Sequence, residues 1–483
     1  MIRSSKCYKV LFSLILACVL FCSFFLVACS DNEDKVYVID IEKTGTSGFT
    51  DIYTITYSDG KTSEFSVKNG QDGEDKSDIT IVDIYNEYKL RYGEISYHDF
   101  VGLYLGGEDA VSTVVNYNLL SAIKVYGEFY TTQYVGFGPF VQEQKDVGIS
   151  GGSAVIYKIE QDYTYIITNY HVVYNKDANS DNGGKIAKNI YGYVYGSEDY
   201  PLYTETVDSK GYPIYNYGES AIKLEYIGGS VNYDLALLKV ETSAILALNS
   251  DIKAINFASD YVVGQTAVAI GNTEDQGTSV TKGIVSVASE YISLAIDNTQ
   301  RFYRVMRIDT ASYSGNSGGG LYNVKGELIG ITNAGDQVDQ NVNFAIPCEV
   351  VKNVIDNIYY YHNDGNNNTQ GVFRLNLNTS YETQNAKYVY DTQSGIGRIQ
   401  EDIVVTNVDS GCVGDIMGLV AGDKIVKITI NNVDYVFLNA YQVDDILLNI
   451  RAGDEISFSY IRDSDLNQTN NYIVKSENLI KMA

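Results

Sequence analysis

Tryptophan is missing altogether from these 483 residues, which hold only 4 prolines, 3 histidines and 6 cysteines. Each shortage excludes something. His98, His171 and His362 are too few and too scattered for a multi-histidine metal centre, so any histidine-dependent chemistry has very few candidates. Cys18 and Cys22 lie in an N-terminal apolar run with Cys7 just before it and Cys29 at its end, and Cys348 and Cys412 are far apart. That spacing makes neither a disulfide framework nor a zinc set, and no metal or cofactor is expected. Basic residues are also short: 35 Lys and Arg stand against 61 Asp and Glu, a formal charge of −26. Phosphate binding needs clustered Lys and Arg, so nucleic acid is excluded as a partner.

What is present is an ordinary globular balance, 45% apolar and 20% charged. The length suits about two to four domains, each able to bury its own core. The 43 tyrosines, with Val, Ile and Thr in short alternating runs, favour a mainly β chain.

At the N-terminus Arg3, Lys6 and Lys9 precede an uninterrupted run of apolar and small residues from Val10 to Ala28. As a bare pattern this is a membrane anchor or a signal peptide. Its end, Leu26-Val-Ala-Cys29 followed by Ser-Asp-Asn, resembles a bacterial lipoprotein signal. The resemblance implies that residues 1–28 are cleaved and that Cys29 is lipidated, holding the protein on the cell membrane facing outside the cytoplasm.

Residues 29–76 read as a polar tether and a small module. Ile52–Tyr57 and Thr62–Val67 alternate around Ser58-Asp-Gly-Lys61, which predicts a β-hairpin with a type I′ turn. The acidic segment 69–75 fits no EF-hand and reads as linker. In the connector 77–110, Ile81, Ile84, Tyr85 and Tyr88 have helical spacing, with His98 just beyond. Strand-and-turn rhythm then runs over 111–362, with strands expected at Leu119–Tyr126, Ser153–Ile159, Tyr163–Thr168, Leu235–Val240, Gly264–Ile270, Thr281–Ala288 and Phe302–Ile308. This suggests an antiparallel sandwich or barrel. Residues 175–220 read as an irregular insertion of long loops. Glu349–Tyr361 carries Val350, Val351, Val354, Ile355 and Ile358 at helical spacing, and an Asn-rich linker, 363–370, follows. Residues 371–475 mix strands with one helix, a compact α+β module.

Four glycines surround Ser317 in Ser314-Gly-Asn-Ser-Gly-Gly-Gly320. Such a cluster permits a sharp turn that presents amides to a developing oxyanion, though by itself it reads equally as a surface loop. Serine hydrolysis also needs a base and a carboxylate to orient it. His171 follows the Tyr165–Thr168 run, and Asp234 leads into Leu235-Ala-Leu-Leu, where a buried carboxylate needs a partner. Gly315-Asn-Ser-Gly-Gly319 also satisfies the G-x-S-x-G nucleophile elbow. The α/β-hydrolase fold that carries this elbow needs its histidine after the serine. Only His362 qualifies, beside an Asn-rich linker and without βαβ alternation.

Thr168-Asn-Tyr-His171-Val-Val, Asp234-Leu-Ala-Leu-Leu-Lys-Val and Ser314-Gly-Asn-Ser317-Gly-Gly-Gly resemble the three motifs of HtrA (DegP-like) serine proteases. The resemblance covers about residues 112–360. It implies a chymotrypsin-like double β-barrel with Ser317 as nucleophile, His171 as base then acid, and Asp234 as the orienting carboxylate. Gly315, Asn316 and Ser317 would form the oxyanion hole, and Ile331, Thr332 and Asn333 would line the substrate channel. Ser314 and Gly320 stand where the family usually has proline, extra freedom that would let the oxyanion loop relax. The module 371–475 resembles a PDZ domain, most tellingly at Ala421-Gly-Asp-Lys-Ile-Val-Lys-Ile428, with Gly371–Leu375 at its carboxylate loop but lacking the usual second glycine. The implied partners are unfolded or misfolded polypeptides, C-terminal peptides at the PDZ-like module, and two further copies in a homotrimer.

Overall fold

The computed structural model describes residues 38–47, 50–68, 85, 88–90, 108–137, 140–178, 185–335, 341–363, 370–391 and 396–482. It divides into two units, residues 1–95 and 96–483. It is mainly β, as expected from composition.

In the first unit β1 (Val38–Ser47), β2 (Thr50–Tyr57) and β3 (Thr62–Lys68) form an antiparallel sheet in that order. The expected hairpin is present, but the preceding tether supplies a third strand. Alternation in β2 buries Asp51, Tyr53, Ile55 and Tyr57 on one face. The turn differs from the type I′ expectation. Gly60 N–H donates to Tyr57 O at 2.9 Å, Tyr57 N–H donates to Lys61 O at 3.0 Å, and only Gly60 takes a positive φ, 78°. This is a type I turn closed by a left-handed glycine, because Asp59 accepts from Lys61 N–H and stays outside the left-handed region. Tyr85 and Tyr88–Leu90 are helical, while Ile81, Ile84, His98 and the acidic segment 69–75 lie outside the described residues.

The second unit opens with α1 (Glu108–Asn118), which straddles the expected boundary at 110. There follow β4 (Ala122–Val135), β5 (Gln142–Ile159), β6 (Tyr163–Thr168), the single turn α2 (Tyr170–Val173) and β7 (Asn189–Val194). Next come β8 (Leu202–Val207), β9 (Pro213–Asn216), β10 (Ile222–Ser230), β11 (Leu235–Glu241) and α3 (Thr242–Leu248). Six of these strands close a barrel in the order β10-β11-β6-β5-β4-β7. Residues 175–220 are therefore not all insertion. β7 is a barrel stave, and only the β8–β9 hairpin stands apart.

Alternation explains the continuous apolar run of β11. Ala236, Leu238 and Val240 fill the barrel with Ile156 and Ile166, while Leu235 and Leu237 join Val155, Tyr165 and Ile167 in a second cluster outside it. Both faces are buried, so hydrophobicity shows no period of two.

The second barrel is β12 (Thr266–Asn272), β13 (Thr278–Leu294), β14 (Arg301–Ile308), β15 (Gly320–Tyr322), β16 (Leu328–Gly335) and β17 (Asn343–Pro347), closed in the order β12-β13-β14-β17-β16-β15. Helix α4 (Cys348–Asn363) follows and buries Val350, Val351, Val354, Ile355 and Ile358, the stripe its spacing predicted. These side chains share the inter-barrel cluster with Leu235, Leu237, Ile331 and Ile346. The site is at this seam.

The C-terminal module holds β18 (Val372–Leu375), β19 (Thr379–Asp391), β20 (Ile396–Val408), α5 (Val413–Met417), β21 (Lys424–Ile430), β22 (Val433–Val436), α6 (Tyr441–Leu447), β23 (Glu455–Arg462), β24 (Asp465–Gln468), β25 (Tyr472–Ile473) and β26 (Leu479–Met482). Strands β19 to β25, excluding none, form one sheet around a separate core that includes Ile403, Ile428, Leu447 and Phe458. β26 lies beyond the expected limit at 475 and pairs with β18. Asn357 of α4 clamps β18 further, accepting from Phe373 N–H at 2.9 Å and donating to Phe373 O at 2.6 Å. Gly371–Leu375 is thus held against α4 and the chain's own last strand.

Candidate active site

Three segments converge between the barrels. His171 sits in α2, the single turn after β6, and Asp234 is the turn residue immediately before β11, which pairs with β6 through Ala236 and Thr168. That register brings histidine and carboxylate together across 63 residues. Asp234 is fully buried and takes a positive φ of 51°, a conformation that costs a non-glycine residue about 1 kcal/mol.

Neutral donors surround the Asp234 carboxylate. His171 Nδ1 lies 2.7 Å from Oδ2, His171 backbone N–H donates to Oδ1 at 2.9 Å, and Asn333 Nδ2 donates to Oδ2 at 2.8 Å. Asn169 Nδ2 donates to the Asp234 carbonyl at 2.8 Å. A carboxylate only accepts, so Nδ1 carries the proton and Nε2 keeps its lone pair. Burial presses the His171 pKa down, but the charge and hydrogen bond of Asp234 outweigh it and the net shift is upward from 6.5. One third of the His171 side chain remains exposed, leaving one edge of the ring accessible.

The nucleophile loop is fixed by backbone geometry. Gly315 and Gly318 have φ of 91° and 89°, and a Cβ on Gly318 would lie 2.0 Å from Ser153 O. Only glycine fits there. Ser153 on β5 is the hub: its N–H donates to Ser317 O at 2.9 Å, its hydroxyl donates to Gly315 O at 2.7 Å, and its carbonyl accepts from Thr168 Oγ1 at 2.7 Å. Ser314 O accepts from Glu274 N–H at 2.6 Å. In a trans peptide the N–H points opposite to the C=O, so this bond turns Gly315 N–H the other way. The amides of Gly315 and Ser317 donate to no acceptor among the described residues. Asn316 differs from the oxyanion-hole expectation, because its N–H closes a turn onto Tyr313 O at 3.1 Å and is already used.

The Ser317 hydroxyl donates to Asn333 O at 3.0 Å rather than to His171. Ile331, Thr332 and Asn333, expected to line the substrate channel, are all buried on β16. Ile331 lies in the inter-barrel core. Thr332 Oγ1 donates to Asn316 O at 2.5 Å and to Gly319 O at 3.1 Å, bracing the loop from behind. Asn333 touches the carboxylate and the serine at once. Their positions in strand β16 turn these side chains toward the catalytic residues and the core rather than toward a channel. Ser153, Asn169 and Glu274 carry no sign of these roles in local sequence, since their contacts with Gly315, Asp234 and Ser314 span 40 residues or more.

Geometrically the cluster supplies a hydroxyl, a neutral imidazole oriented by a buried carboxylate, and two unused amides, the parts that acyl transfer needs.

Residues 152–331 match the family model of the trypsin-like peptidase domain. Over 342 residues the chain is 26% identical to the serine protease Do-like HtrA of Lactococcus lactis subsp. lactis (strain IL1403), covering 68% of this chain and 71% of that protein. It is 27% identical over 291 residues to the serine protease HtrA-like of Staphylococcus aureus (strain MRSA252), covering 57% of this chain and 32% of that protein. Among solved structures, the HtrA-type protease AlgW with decapeptide aligns at 21% identity and a TM-score of 0.46, covering 75% of this chain and 98% of that one. The matched domain and these relatives support a serine-type endopeptidase whose residues 152–331 match a trypsin-like peptidase domain and whose chain is similar to HtrA-type proteases.

Proposed function

We propose that this endopeptidase cleaves exposed or misfolded polypeptides by a Ser317–His171–Asp234 acyl-enzyme mechanism, in protein quality control at the outer side of the cell membrane. The observation that carries the reading is the buried Asp234 carboxylate holding His171 Nδ1 at 2.7 Å, next to a serine flanked by two unused amides. Catalysis begins when the Ser317 hydroxyl leaves Asn333 O and donates to His171 Nε2 instead. Nε2 takes the proton as Oγ attacks the scissile carbonyl, and Asp234 stabilises the imidazolium that forms. The amides of Gly315 and Ser317 receive the oxyanion. His171 then protonates the leaving amine. Water, activated by the same imidazole, releases the acyl group.

The N-terminal signal supports lipidation at Cys29. Multiple acylation is needed for stable anchoring, because one acyl chain binds only marginally. The sequence of the C-terminal module resembles a PDZ domain at Ala421–Ile428, which supports a PDZ-like role. With Gly371–Leu375 clamped by Asn357 and β26, the module serves first to buttress the protease, and peptide capture at that segment requires β26 to leave. A homotrimer accords with the family resemblance.

The test is hydrolysis of a denatured protein by the mature chain, with Ser317→Ala as control. Cleavage lost in the variant supports the reading. Equal residual hydrolysis in both, or binding of the denatured protein without cleavage, replaces it with a catalytically silent peptide-binding or chaperone protein, the reading favoured by the present Ser317–Asn333 bond.

A further inference from the structure

Strand β4 pairs with β7 only as far as Glu128, opposite Asn189. Beyond it, residues 129–135 pair with 142–148 as a two-stranded ribbon that leaves the barrel. Seven residues at about 3.3 Å each give roughly 23 Å of reach. The β8–β9 hairpin braces its lower half: Tyr212 packs edge-on against Tyr130 at 4.9 Å and its hydroxyl lies 2.8 Å from Thr132 Oγ1, and Lys145 Nζ donates to Lys210 O at 2.8 Å. A two-stranded ribbon alone is marginal in water, so the brace makes this one rigid.

At the end of the ribbon Tyr134 is 73% exposed, Phe137 91% and Phe140 80%, with Val135 and Val141 about half exposed. Gly136, with φ of 125°, draws the turn tight, since a Cβ there would lie 2.2 Å from Phe140 O. Phe140 N–H closes the turn onto Phe137 O at 3.2 Å. The stretch Phe129–Gln142 contains no Asp, Glu, Lys or Arg in a chain that is 20% charged and carries −26 overall. Charge begins again only at Glu143, which is paired with Lys145 at 3.4 Å.

We infer that this tip is a membrane-docking element, and that its occupant is the interfacial region of a lipid bilayer. Two observations favour a bilayer over a protein. The exposed apolar side chains sit at the end of a ribbon only two strands wide, whereas a stable protein partner needs about 800 Å² of complementary surface on each side. It is also charge-free in a strongly acidic molecule, so it can approach a lipid surface without the repulsion the rest of the chain meets. Phenylalanine and tyrosine at an apolar–polar boundary bury their rings and keep the tyrosine hydroxyl wet. The inference rests on the membrane-anchored reading for its setting. It adds a second contact to the lipidated Cys29, which would hold the catalytic face at a fixed height above the bilayer.

The chain has no tryptophan, so Phe137→Trp introduces a single reporter. The protein is residues 29–483 with Cys29→Ser, which removes the lipid and makes the outcome independent of the anchoring reading. With phosphatidylcholine vesicles the emission of Phe137→Trp is expected to shift to the blue and to be quenched by lipids brominated in the acyl chain. In an otherwise tryptophan-free background, Phe137→Ser with Phe140→Ser is expected to lower vesicle partitioning roughly tenfold per phenylalanine. Hydrolysis of a denatured soluble protein by that variant stays unchanged, which reports an intact fold. Emission unaltered by vesicles overturns the inference. So does a blue shift that grows with protein concentration without lipid, which assigns the tip to a second copy, or one induced only by an unfolded polypeptide, which assigns it to substrate. If Cys29 proves unlipidated in cells while the vesicle assay succeeds, the anchoring reading fails and the tip remains.

Discussion

Two buried polar clusters of the second unit are built on opposite principles. Between the barrels, Asp234 has no Lys or Arg beside it among the described residues: its oxygens meet an imidazole N–H, a backbone N–H and the Asn333 amide. Between the second barrel and the C-terminal module, Arg304 on β14 binds Asp445 of α6 and Glu349 of α4, while Tyr441 stacks on its guanidinium at 3.8 Å. A permanent cation spends its attraction on holding elements in place, and its partners cannot exchange protons with a substrate. A carboxylate satisfied by neutral donors leaves the neighbouring imidazole free to become the cation when one is required. The first cluster is arranged for proton transfer and the second for attachment.

The comparison predicts opposite consequences of mutation. The largest effect is expected for Asp234→Asn, which keeps the shape but favours the wrong imidazole tautomer. Its kcat should fall on the order of 10⁴-fold with thermal stability little changed, as measured by peptide hydrolysis and a thermal melt. Arg304→Met should do the reverse. At a pH above 7, where Asp445 is ionised, removing its cation should cost about 3–5 kcal/mol, seen as a large drop in Tm, with the active-site rate preserved well below the melt. Equal damage to rate and stability in either variant would erase the distinction. Asn333→Ala stands between them. It removes one donor from a buried carboxylate, at about 1–3 kcal/mol, and should lower kcat by roughly tenfold to a hundredfold while leaving KM nearly unchanged.

The smallest effects are those of pH. Asp445 is pushed up to about 7, first by burial, with Glu349 and Asp444 adding to the shift and Arg304 opposing it. The folded state then holds this proton more tightly than the unfolded chain. The resulting stability is present below the unfolded value near 3.8 and is lost as pH rises through about 7. Thermal melts across that window should slope downward in the wild type and flatten in Asp445→Asn. At the other cluster, His171 must be neutral to accept a proton and its pKa lies above 6.5. The acid limb of kcat/KM should therefore also lie above that value.

The sequence made the second unit's chemistry legible because His171, Asp234 and Ser317 each sit in dense, unusual local sequence. Strand β11 was legible for the same reason, as its unbroken apolar run requires burial on both faces. Other features depend on contacts that no local pattern records. β7 lies within a stretch rich in Asn, Gly and Tyr and becomes a barrel stave only by pairing with β4 and β10. Ser153 reads as one small residue in a Gly-Gly-Ser run until the fold places its hydroxyl on Gly315 O, 162 residues away. The family motifs place Thr332 and Asn333 at the site, but strand alternation and the register of β16 decide what their side chains face.

The central claim is that Ser317 is a nucleophile activated by His171 and Asp234. Its most direct test is covalent labelling of the mature chain with a fluorophosphonate at pH 8, read by intact mass and peptide mapping. The account predicts one adduct, on Ser317, absent from Ser317→Ala and greatly slowed in Asp234→Asn. A wild type labelled no faster than Ser317→Ala, in the presence of a denatured polypeptide, would contradict it.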